Sequence, residues 1–177
     1  MAKDEVTGIG IDTTLEDAES LYKLGQCYGT GTGVPKNPEL AVKFYKKAAL
    51  LGLTEAQLAM GSCYSEGFGV NQDFLAAAAW YDNAARKGNA EGQFCLGLCY
   101  LKGYGVKNDS VRAVELFVQA AAQEHLNAIY NLGICYVQGI GVERDQQKAL
   151  LLLKKVAQRG HGDARHLLES CGLTWDN

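Results

Sequence analysis

The sequence predicts an all-α solenoid of paired helices, and three observations carry that prediction. They are an internal period of 36 residues, a helix stop and a helix start inside each period, and a column of mid-helix glycines that only close packing explains. The first motif is Leu24-Gly25-Gln26-Cys27-Tyr28, which returns as Met60-Gly61-Ser62-Cys63-Tyr64, Leu96-Gly97-Leu98-Cys99-Tyr100 and Leu132-Gly133-Ile134-Cys135-Tyr136. Six residues after each of those glycines comes Gly-x-Gly-Val, beginning at Gly31, Gly67, Gly103 and Gly139. Asn37, Asp73, Asp109 and Asp145 follow, and four residues after each stands Ala41, Ala77, Ala113 or Ala149. A fifth, partial copy runs from Ala164 to Cys171, with Glu169 and Gly172 where glycine and tyrosine are expected.

Taken in order, each period holds a helix A and a helix B. In the second copy helix A spans about Thr54 to Glu66, because Ala56, Met60, Cys63 and Gly67 keep the i, i+4, i+7, i+11 spacing of one apolar stripe. Gly67 ends it in the left-handed conformation that satisfies the last carbonyls, and Val70 supplies the accompanying apolar contact. Asp73 is the N-cap of helix B, which carries Ala77, Trp80, Tyr81, Ala84 and Ala85 inward and stops at Gly88. In the first copy Asn37 is the cap and Pro38 takes the first helical position, where its missing N–H is harmless. Glycine in mid-helix costs about 0.5–1 kcal/mol relative to alanine, so Gly25, Gly61, Gly97 and Gly133 imply a neighbouring helix at close range, with the aromatic of helix B as the expected partner. The plan is a flexible leader or partial cap over 1–15 and a single repeat domain over 16–172. Within that domain the repeats are 18–53, 54–89, 90–125 and 126–161, with a capping helix over 162–172, and a tail closes the chain at 173–177.

Composition removes several classes of function. With 47% hydrophobic and 21% charged residues in 177, the chain can bury a core without disulfide or metal staples. A formal charge of −3 gives no reason for a nucleic-acid or anionic-membrane partner. The N-terminus has no apolar signal core and no window reaches the roughly 18–20 apolar residues of a membrane span. Fifteen of the 21 glycines fall in the repeat columns or at the ends of helix B. Gly-x-Gly-Val follows a helix rather than a strand and lacks the Lys-Ser/Thr of a phosphate loop, so no nucleotide site is expected there.

The motifs Leu-Gly-x-x-Tyr, Gly-x-Gly-Val, Asp and Ala at this spacing resemble the Sel-one-like repeat (SLR), a relative of the tetratricopeptide repeat, over Ala18 to Cys171. The resemblance implies a right-handed α/α superhelix that scaffolds protein complexes, in settings including signalling, cell-wall or endoplasmic-reticulum assembly and bacterial interaction with hosts. The family also has a secreted branch in which cysteine pairs bridge the two helices of each repeat. This chain departs from that branch: Cys27, Cys63, Cys99, Cys135 and Cys171 occupy a single column. Equivalent columns of packed helices lie at least about 8–10 Å apart, beyond the ~7 Å limit between Cα atoms for a disulfide, so reduced thiols and a cytoplasmic location are expected.

No catalytic residue, cofactor or metal is predicted. Cys95 stands four residues before Cys99 and offers half of a zinc site, but His125 falls in a loop and His161 and His166 lie two repeats away. Lys43, Lys46 and Lys47, with Lys36 nearby, form a solvated outer face of helix B.

Helix A presents a second face, which by resemblance to tetratricopeptide arrays lines a concave groove. It holds Tyr22, Gln26 and Gly29, then Leu58, Ser62 and Ser65, then Phe94, Leu98 and Leu101, then Tyr130, Ile134 and Val137. The last six are all apolar although they face away from the Leu, Cys and Tyr columns, which predicts either a groove for a partner helix or extended peptide, or a surface covered by superhelical curvature or by Leu173 and Trp175 of the C-terminal segment. The expected function is a non-enzymatic, monomeric scaffold or adaptor binding protein or peptide. The alternatives are a regulatory or substrate-recruiting module of a larger enzyme, of kinase or ubiquitin-ligase type, and a secreted cysteine-rich host-interaction protein.

Overall fold

The computed structural model describes residues 17–171 and 173–174; the expected leader and Trp175 lie outside the described residues. Among these residues every regular element is helical. The A helices are α1 (Ala18–Thr30), α3 (Thr54–Glu66), α5 (Ala90–Lys102) and α7 (Leu126–Gln138). The B helices are α2 (Pro38–Leu50), α4 (Phe74–Arg86), α6 (Ser110–Ala122) and α8 (Gln146–Gln158), and α9 (Gly162–Ser170) follows as a short A-type helix.

The punctuation sets these boundaries. Gly31, Gly67, Gly103 and Gly139 sit at φ between 71 and 82°, and each returns its N–H to the carbonyl of the cysteine four residues back. The side chains of Asn37, Asp73, Asp109 and Asp145 accept the N–H three residues on, at 2.9–3.0 Å. The backbone N–H of each of those caps donates to the carbonyl of Tyr28, Tyr64, Tyr100 or Tyr136, at 2.8–3.0 Å. One residue therefore ends the connection and starts helix B, a role that the short side-chain oxygen of Asn or Asp fills in all four copies.

A Cβ on Gly25, Gly61 or Gly97 would lie 2.6 Å from a ring carbon of Tyr45, Tyr81 or Phe117 respectively. Opposite Gly133 the partner is Leu153 at 3.1 Å, so in the fourth copy the expected ring is an aliphatic side chain. The second glycine of Gly-x-Gly has its own reason. A Cβ on Gly69 would run into the Pro38 carbonyl and one on Gly141 into the Ser110 carbonyl, each at the start of the preceding B helix.

The residues fall into two compact units, one ending at Asn83 and one beginning at Ala84, with the boundary inside α4. The first is built around Val42, Ala49, Ala56, Met60 and Cys63, with Tyr45 and Trp80 packed against them. The second has one cluster around Phe94, Phe117 and Leu132 and another around Ile129, Leu153, Val156 and Leu168. Fully burying a side chain such as Phe117 or Met60 contributes about 1.5–3 kcal/mol.

Candidate functional site

The six apolar positions of the second unit lie on α5 and α7, and the structure divides them. Phe94 is only 9% exposed and its ring packs 6.0 Å from that of Phe117, so it is a core residue rather than a surface one. Its ring meets Phe117 of α6 and lies 4.9 Å from that of His125, contacts that the helical wheel alone does not show. Leu98 and Leu101 are partly buried against the Phe117 cluster, and Tyr130 and Val137 against the Leu153 cluster. Ile134 is partly exposed and belongs to neither cluster. Leu173, one of the two residues expected to cover this face, is 41% exposed, and Trp175 lies outside the described residues.

The N-terminal rim of the face is built from two histidines. His125 is the N-cap of α7, not a free loop residue: its Nδ1 accepts the Ala128 N–H at 3.1 Å. His161 caps α9 in the same way through the Ala164 N–H at 3.3 Å. Each ring packs on the aromatic of the preceding A helix: His125 lies tilted against Phe94 with centroids 4.9 Å apart, and His161 stacks on Tyr130 at 4.6 Å. The remaining nitrogens meet Glu91 Oε2 at 2.8 Å and Asn127 Oδ1 at 3.2 Å. The signal for these caps in the sequence is the column preceding helix A, which reads Leu53, Asn89, His125, His161 and so places a side-chain acceptor in three of its four positions.

Around Glu91 the chemistry is that of a structural network. The Cys95 thiol donates to Glu91 Oε1 at 3.5 Å, and burial, reinforced by that carboxylate, pushes the thiol far up. Burial likewise raises Cys63 and Cys99 to about 11, so these sulfurs stay protonated at neutral pH. The imidazole of His125 meets the carboxylate instead of the thiol, so no base activates the sulfur. All six cysteines are free, and among the described residues no group of three or more His, Cys, Asp or Glu could hold a metal ion. Lys43, Lys46 and Lys47 are exposed. No described helix is long and apolar enough to cross a membrane.

Tandem helix pairs with a fixed loop grammar, and a variable face on the A helices, define an α/α repeat protein of the solenoid type. The profile of the Sel1 repeat matches residues 18–53, 54–89, 90–125 and 126–161, and the chain belongs to the Sel1 repeat family. Sel1 repeats are helical modules that typically mediate protein–protein interaction. Among solved structures, a Sel1 repeat protein from Oxalobacter formigenes is 35% identical with a TM-score of 0.80, over 86% of this chain and 61% of that one. The protein c5321, a protective antigen of uropathogenic Escherichia coli with an SLR fold, is 37% identical with a TM-score of 0.82, over 90% of this chain and 35% of that one. Cysteine-rich protein B of Helicobacter pylori is 25% identical with a TM-score of 0.58, over 78% of this chain and 99% of that one. This chain thus spans less than two thirds of the length of the first two. No curated protein matches it in sequence.

Proposed function

We propose that the protein is a non-enzymatic scaffold or adaptor, and that it takes a protein or peptide segment on the A-helix face of its second unit, the side that lines the concave groove in related arrays. The observation that carries this reading is the apolar set Leu98, Leu101, Tyr130, Ile134 and Val137, partly exposed on successive A helices, with Phe94 supporting it from beneath. Ile134 argues most strongly, since neither core uses it. The first unit carries Gln26, Gly29, Ser62 and Ser65 at the positions matching Leu98, Leu101, Ile134 and Val137, beside Tyr22 and Leu58 at those matching Phe94 and Tyr130, so the two halves would select different chemistry. Six free cysteines favour a reducing, cytoplasmic setting over the cysteine-bridged secreted branch. A monomer binding neither nucleic acid nor membrane fits the near-neutral charge.

The test is capture from a matched lysate by wild type and by the pair Leu98→Asp with Ile134→Asp. A protein held by wild type and lost by a variant whose melting is unchanged supports the face; the same proteins retained by both would sink it. A melting temperature that collapses in Leu98→Asp but not in Ile134→Asp would restrict the face to Ile134 and its exposed neighbours.

A further inference from the structure

Within the first unit, the outer side of α2 carries a patch that the core does not use. The helix buries Ala41, Val42, Ala48 and Ala49 as it packs against α1 and α3. On the opposite side Lys43, Lys46, Lys47 and Leu50 keep the i, i+3, i+4, i+7 spacing of a single stripe, which Leu51 continues past the helix end. All five are exposed, Leu50 by 71% and Leu51 by 59%, and neither leucine belongs to the core cluster of its unit. Glu39 opens the same stripe, yet among the described residues no carboxylate pairs with any of the three lysines. We propose that this stripe is a docking surface for a short acidic segment of another protein, whose carboxylates meet the lysines and whose apolar side chains cover Leu50 and Leu51.

The repeat itself does not ask for these residues. The positions of Lys43, Lys46 and Lys47 hold Ala79, Asp82 and Asn83 in α4, and Glu115, Val118 and Gln119 in α6. Those of Leu50 and Leu51 hold Arg86 and Lys87, then Ala122 and Gln123, then Gln158 and Arg159, so no other copy places two large apolar side chains there. In α8 the counterpart of Lys47 is Lys155, and it is tied to Glu124. A helix C-terminus favours a cation in its last turn, which accounts for Lys47 but not for Lys43 or the leucines. Like charges this close on one helix repel, so a segment that brings carboxylates relieves the repulsion as it forms new pairs. The leucines make the patch apolar at one end only, which orients the segment along α2. From Lys43 to Leu51 the stripe is about 12 Å long, the length of roughly two helical turns or four extended residues of a partner. An anionic bilayer is the other negative surface, but its recognition takes clusters of about four to eight Lys or Arg, more than this stripe holds.

The experiment selects binders from a display library of random dodecapeptides on the full chain, then measures their affinity for variants. Wild type should yield peptides in which Asp or Glu accompanies Leu, Ile or Phe, with binding that weakens between 0.05 and 0.5 M salt. Leu50→Ser with Leu51→Ser should lower their affinity about tenfold. Lys43→Gln with Lys46→Gln should weaken binding and flatten its salt dependence. Both pairs replace exposed side chains, so melting should stay at the wild-type value. Ile134→Asp should hold the acidic peptides as wild type does, which separates this surface from the A-helix face. A selection without acidic peptides, or acidic peptides held equally well by the leucine pair variant, would overturn the proposal. So would phosphatidylserine vesicles that bind wild type and neither pair variant, since the patch would then serve a lipid surface.

Discussion

Gly97 and Gly133 stand in one sequence column yet face different neighbours. An alanine Cβ at 97 would meet the Phe117 ring at 2.6 Å, and that ring is fully buried with no room to retreat. At 133 the neighbour is the Leu153 side chain at 3.1 Å, whose end can rotate away. Overpacking a core costs about 1–3 kcal/mol, while replacing a helical glycine by alanine recovers up to about 1 kcal/mol. Gly97→Ala should therefore lower stability in urea by about 1–2 kcal/mol. Gly133→Ala should leave it unchanged or raise it by up to about 1 kcal/mol. Equal losses at the two sites would show that the ring is not what requires glycine at 97.

The turns that join a B helix to the next A helix show a second departure from the repeat. Gly52, Gly88 and Gly160 have φ of 93, 79 and 94°, and the third copy places Glu124 there at φ 64°. A side chain in the left-handed region is strained, and the compensation lies in its carboxylate, which reaches Lys155 at 2.8 Å and also Arg159. The hydrogen bond from Lys155 holds that carboxyl below its usual range. Its stabilising contribution is thus present at neutral pH and lost as pH falls through the carboxylate range. Salt screens such an exposed pair, whereas the backbone strain is indifferent to salt. Glu124→Gly should accordingly melt close to wild type at low ionic strength, and above it in 1 M salt. A variant that melts lower by the same margin at both ionic strengths would refute the compensation.

At the scale of the whole molecule the cysteine column reports on packing. Cys63, Cys99 and Cys135 are buried, Cys27 and Cys95 partly so, and Cys171 is exposed. A thiol reagent should modify the exposed Cys171 first in the native protein and count six thiols after unfolding, because burial keeps Cys63, Cys95, Cys99 and Cys135 protonated and shielded. Fewer than six on unfolding would restore the bridged, secreted reading. An array in which each repeat touches only its neighbours tolerates such differences between copies, since a changed contact stays local.

Much of this architecture was legible along the chain. The period, the caps Asn37 to Asp145, the terminating glycines and the helix spans follow from local rules: a residue and those three or four away decide a cap, a stripe or a stop. What lay beyond those rules depends on contacts between segments about 20 to 30 residues apart. The Ser110 carbonyl that forbids a side chain at Gly141, the packing of His125 against Phe94, and the Leu153 that replaces a ring against Gly133 are of that kind. The same distinction sorts the A-helix face. Periodicity identified six apolar residues turned away from the main stripe, but only the position of α6 shows that Phe94 is enclosed, and only the packing of both clusters leaves Ile134 outside them. The sequence by itself determined the repeat and its helices, because local hydrogen bonding and backbone conformation suffice for those. The tertiary structure decided which apolar side chains reach solvent, because burial depends on what neighbouring helices bring against a face, and no periodicity within one helix records it.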